Sequence, residues 1–135
     1  MGYGMKQLNS NFRIAAKQLP AALAAVQALE KDHRNLMDVD PHWVQASTMA
    51  EMLHAWHWDS AFDPITGDLT SINFAGEQLG DEETLFQALA PFVNQRSFIE
   101  MQGKDGEFWR WVFDGQQMRT QFPQGVRRHR IIWEC

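Results

Sequence analysis

Two histidines one helical turn apart are the first residues that could do chemistry. His54 and His57 stand at i, i+3, with Asp59 two residues on. That spacing puts two imidazoles on one side of a helix, where they could offer a metal two nitrogen ligands. The set stops there: His33, His42 and His129 are isolated, and the one cysteine is Cys135. Surface or groove-lining histidines explain the pair, and no metal is expected. Asp63 and Asp68 resemble a fragment of a calcium loop but lack its regular oxygen spacing and closing glutamate. Pro64 and Gly67 between them read as turn chemistry instead.

Other reactive constellations are thin. Glu100 and Glu107 can face each other across a hairpin, as general acid–base work requires, yet Lys104 and Arg110 offer both of them ordinary ion pairs. No serine nucleophile motif, phosphate-binding loop or dinucleotide fingerprint occurs. An enzyme is therefore not the favoured reading, and no cofactor is expected. The tryptophans say more. Trp109 and Trp111 share one strand face, where they either pack under a helix or, with Arg110, line a cleft between sheet and helices. Such a cleft would suit a small ligand or a nucleotide, because flat rings and guanidinium groups dominate binding hot spots and stack bases.

The charge is unevenly placed. Residues 1–34, 35–95 and 96–135 carry net charges of +3, −10 and +2, which account for the overall −5. The middle segment holds ten acids and no lysine or arginine, where a proportional share of the twelve basic residues would be about five. Gathered on one face, these acids would steer a basic partner and repel nucleic acid. Asp38, Asp40, Trp43, Trp58, Asp59, Asp63, Asp68 and Glu77 are the candidate partner-binding residues. The run Arg127-Arg128-His129-Arg130 reads as the fringe of a terminal edge strand; the acidity of the rest argues against nucleic acid as the partner.

These residues need elements to hold them. At 135 residues with 44% hydrophobic composition and sixteen aromatics, the chain suits one domain over 1–135 with a substantial core. No signal peptide and no membrane-spanning stretch is read, and a single cysteine favours a reducing compartment, so a cytoplasmic location is expected. Asn11–Ala16 reads as a strand and Leu19, Leu23, Val26 and Leu29 as a helix over about 20–32. Residues 33–47 read as a mobile loop, and 1–8 and 134–135 as frayed ends. Thr48 and Glu51 form a capping box for a helix over about 49–57, with Met49, Met52, Leu53 and Trp56 on its apolar face. Trp58–Phe62 and Leu69–Phe74 read as paired strands. Asp81, Glu82 and Glu83 suit the start of a third helix, where the dipole favours acids, and Pro91 ends or kinks it. Ser97–Gln102, Glu107–Phe113 and Gln116–Phe122 read as strands joined at Gly103–Gly106 and Asp114-Gly115, and Val126–Trp133 as a last edge strand. The expected fold is α+β: a mostly antiparallel sheet of five to six strands with two to three helices on one face.

Several stretches together carry a likeness: Gly2-Tyr3-Gly4-Met5, Phe74–Glu82, Phe86–Val93, Ser97–Met101, Gly103–Gly106 and Trp109–Phe113. With them the chain resembles a group of small bacterial and phage-borne proteins that carry no assigned activity, mainly over 72–113. The resemblance implies a bacterial or phage source and an accessory role, and no catalytic residues. Joined to the acidic middle, the leading expectation is a small binding protein that engages a basic protein partner, an immunity-type or defence-related inhibitor being the most concrete form. A ligand- or nucleotide-binding module, or an enzyme, with a pocket between sheet and helices is the alternative. Oligomeric state is not legible.

Overall fold

The computed structural model describes residues 5–31, 40–76 and 80–133. Its largest sheet has four antiparallel strands, β1 (Lys6–Asn11), β4 (Phe98–Gln102), β5 (Phe108–Phe113) and β6 (Met118–Gln121), in that order. Two antiparallel pairs flank it: β2 (Trp58–Phe62) with β3 (Leu69–Phe74), and β7 (Pro123–Arg127) with β8 (Arg130–Trp133). Among the described residues there are three α-helices besides short 3-10 turns: α1 (Leu19–Gln27), α2 (Met49–Ala55) and α3 (Glu82–Leu89). The α+β class and the antiparallel pairing are those expected, but eight strands in three sheets replace one sheet of five or six.

The chain's alternation explains the central strand. Trp109, Trp111 and Phe113 of β5 point to one face and Phe108, Arg110 and Val112 to the other, as a period of two requires. Both faces are at least partly covered. On the first lies α3, whose Phe86 ring sits 5.0 Å from Trp111 and 6.0 Å from Phe113. Phe12 closes the same cluster at 5.3 Å from Phe113, in the edge-to-face geometry that aromatic quadrupoles favour. On the second face the Arg110 guanidinium lies 4.7 Å from the ring centre of Trp133 in β8. It also donates through Nε to Gln121 Oε1 at 2.7 Å and stands 3.8 Å from Glu100.

Polar side chains fasten the smaller units to the sheet. Gln7 of β1 donates to the Ile72 carbonyl at 3.0 Å and accepts from the Phe74 N–H at 2.8 Å. The edge strand β1 is thereby joined to β3 through one side chain, without a continuous ladder, and the edge is blunted. Ile14 exchanges backbone hydrogen bonds with Leu69 at 2.9 and 3.1 Å, and Asp68 accepts from the Ala16 N–H at 2.8 Å and from Arg13 at 2.9 Å.

Several boundaries differ from the sequence reading. The N-terminal strand begins at Lys6, within the stretch expected to fray, and ends at Asn11; beyond it only Ile14 bridges, to Leu69 and Val93. Residues 41–45, expected as loop, form a 3-10 helix that places Pro41 in its first turn and buries Trp43. The rest of that segment, 32–39, lies outside the described residues. Val126–Trp133 is no single strand. Arg128 and His129 take positive φ angles of 53° and 65°, the two-residue turn that reverses the chain between β7 and β8.

Candidate functional site

The sheet outruns the helix that covers it. Along the α3 face, Phe113 and Met118 are buried, Trp111 and Thr120 come next, and Trp109 and Phe122 lie furthest along. Because α3 begins only at Glu82, it covers Trp111, 2% exposed, but leaves Trp109 partly open and Phe122 56% exposed. The gap is a cavity of about 450 Å³, lined on one side by Trp109, Trp111, Thr120 and Phe122 and on the other by residues 80–84. Its size falls within the range of small-ligand sites.

Three acids stand on the helical side. Asp81 takes the N-cap position, with its carbonyl accepting from the Thr84 and Leu85 N–H groups. Glu83 is exposed and accepts from the Thr120 hydroxyl at 3.4 Å, which ties the helix to β6. Glu82 differs from both: it is only 4% exposed. Its Oε1 accepts from the Gly80 N–H at 2.7 Å and its Oε2 from the Trp58 indole N–H at 3.3 Å. Burial pushes its carboxyl above the usual glutamate range, and those two donors pull part of the way back. Among the described lining residues there is no histidine, cysteine, serine or lysine. The lining is suited to binding, with Glu82 its buried acid.

The structure divides the ligand-binding set Trp109, Arg110 and Trp111. The two tryptophans line the cavity; Arg110 projects from the opposite face onto Trp133 and is not part of it. The acidic-surface set is divided as well. Trp43 and Trp58, 5% and 0% exposed, are core residues and offer a partner nothing; Trp43 packs on Trp56 at 5.8 Å and Trp58 on Phe86 at 5.3 Å. Three of the acids have local structural tasks. Asp40 caps the 41–45 turn through the His42 N–H, Asp63 accepts from the Ile65 and Thr66 N–H groups, and Asp68 holds Ala16 and Arg13. These bonds hold all three carboxyls below the ordinary aspartate range. Asp59 is exposed, 3.9 Å from His54. Asp38 and Glu77 lie outside the described residues.

Sequence reasoning missed Glu82, Thr120 and Phe122 as cavity residues. A signal existed for Glu82: with Leu85, Phe86 and Leu89 it completes the i, i+3, i+4, i+7 stripe that α3 turns inward. Elsewhere, Leu19, Leu23, Met49 and Phe62 line a second hollow of about 560 Å³, mostly apolar and without a charged lining residue. No group of three or more possible metal ligands occurs among the described residues, and no described helix is long and apolar enough to cross a membrane. Comparison with models of protein families, with curated proteins and with solved structures finds no match to this chain.

Proposed function

We propose that the protein is a binding module whose site is the cavity between the start of α3 and the strands β5 and β6. One observation carries this reading: a helix that stops short of covering its sheet leaves the Trp109 and Phe122 rings lining a space, opposite a polar wall, the size of a small ligand or an inserted side chain. Exposing such rings is costly in water. Apolar area walled by a few convergent polar groups is what ligand sites share. The accessory role implied by the resemblance fits a binder with no reactive nucleophile in its lining. The acidic middle segment contributes the field around the site, while its tryptophans support the core.

The test is a screen of the labelled full chain by nuclear magnetic resonance, read at the indole N–H signals of Trp109 and Trp111. The probes are small amines, sugars, nucleosides and short peptides. The expected result is at least one probe that moves the Trp109 signal in the wild type and none of the signals in Trp109→Leu. Substituting a half-open ring leaves the fold intact and weakens binding about tenfold or more. Probes that move only signals remote from the cavity, or bind Trp109→Leu equally well, would refute the site.

A further inference from the structure

We propose that the cavity takes a cation, an ammonium or guanidinium group, seated against the Trp109 ring and balanced by Glu82 and Glu83. The inference rests on the binding role assigned to the cavity above and names the chemistry of its guest. Its first support is the wall: Trp109 and Phe122 present ring surface to the space, and the negative face of an aromatic ring attracts a cation, tryptophan most strongly. The second is the charge of the opposite wall. Asp81, Glu82 and Glu83 line it, and no lysine or arginine does among the described residues. The third is Glu82 itself. It is more than nine-tenths buried, yet its hydrogen-bond partners are neutral N–H groups and none of the ion pairs among the described residues includes it. A buried carboxylate without a counter-ion is costly, and a cationic guest supplies one.

An anion is the natural rival, because helix N-termini attract anions. Here that position is already held by Glu82, whose carboxylate accepts from the Gly80 N–H ahead of the helix. A second negative group would meet three carboxylates. The volume of about 450 Å³ accommodates an arginine or lysine side chain or a small amine, and the ten acids of 35–95, with no lysine or arginine among them, add a field that draws cations in.

The experiment titrates the full chain with N-acetyl-arginine amide, its uncharged twin N-acetyl-citrulline amide, agmatine, and an arginine-rich peptide, again reading the Trp109 indole signal. The arginine compound is expected to bind at least about tenfold more tightly than citrulline and to weaken as salt rises. Glu83→Gln should weaken it about three- to tenfold, and Glu82→Gln should weaken it as well, with thermal melts confirming that both variants fold. Agmatine matching the peptide would assign a small amine as guest; a peptide binding tenfold more tightly would assign a basic side chain of a protein. Both orders support the cation. If citrulline binds as well as arginine, the cation is wrong while the cavity stands. If no cationic probe moves Trp109, the inference is overturned, and the wider screen alone decides the fate of the cavity.

Discussion

Glu82 shows how one residue can serve a helix and a core in conflict. Its position on the inward stripe of α3 forces a carboxylate against the buried Trp58 indole, where an apolar side chain would pack without penalty. The Trp58 indole N–H and the Gly80 N–H make the burial tolerable. Trp56 is the contrast: fully buried like Trp58, it has an indole N–H with no hydrogen-bond partner among the described residues. The same substitution at the two sites therefore separates packing from hydrogen bonding. Trp58→Phe removes a donor from a buried carboxylate, whereas Trp56→Phe removes a donor that bonds nothing. We expect Trp58→Phe to cost about 1–2 kcal/mol more than Trp56→Phe, measured by denaturant unfolding. Equal losses would show that packing alone holds both rings. The burial of Trp58 was legible in part: on a strand, Trp58 and Asp59 must point opposite ways, so one surface could not carry both. The same alternation separates Arg110 from Trp109 and Trp111. Trp43 had no such signal, because its short 3-10 turn has no extended periodicity to read.

At the scale of elements, local chemistry decided what the sequence could show. Trp58–Phe62 and Leu69–Phe74 were legible to the residue because Asp63-Pro64 and Gly67-Asp68 punctuate them sharply. In the structure Asp63 accepts from two turn N–H groups and Gly67 takes a φ of 80°. Half of the capping box at Thr48 formed: the Glu51 N–H donates to the Thr48 hydroxyl at 3.2 Å, and that hydroxyl, in place of the Thr48 N–H, donates to the Glu51 carboxylate at 3.3 Å. The C-terminal hairpin was not legible, since Arg128 and His129 are poor residues for a turn that needs positive φ twice. A basic run with no glycine or asparagine therefore reads as continuous strand. The same strain gives a prediction. Arg128→Asn with His129→Gly supplies the residues that turn prefers and should stabilise the hairpin by about 1–2 kcal/mol. The check is slower amide hydrogen exchange in β7 and β8, with the rest of the sheet unchanged. No slowing would mean that Trp133 stacking on Arg110, not the turn, sets the hairpin's stability.

Over the whole molecule, two sets of acids pull stability in opposite directions with pH. Turn N–H groups hold Asp40, Asp63, Asp68 and Asp114 below the ordinary aspartate value of 3.8. The stability they contribute is present above that value and is lost as pH falls through their lower folded values. Asp40 and Asp114 are exposed and Asp63 and Asp68 half-buried, so solvent screens each contribution, those of Asp40 and Asp114 most. Glu82 has the reverse sign. Its folded carboxyl titrates above the ordinary value of 4.5, because burial outweighs the donors and the field of His57. The folded state then binds more protons than the unfolded one, and stability falls as pH rises from about 4.5 through the folded value. Glu82→Gln is uncharged throughout and resembles the protonated acid. Its stability relative to wild type should therefore be flat below that window, rise across it, and stay level above it. Thermal midpoints of both proteins between mild acid and neutrality would measure the difference, and a constant gap at every pH would rule out Glu82 as the source. A saturating cationic guest should shrink the rise in this difference, because a counter-ion in the cavity favours the carboxylate that burial disfavours. An arginine compound that leaves the pH profile of wild type unchanged, while binding elsewhere, would detach the buried acid from the site.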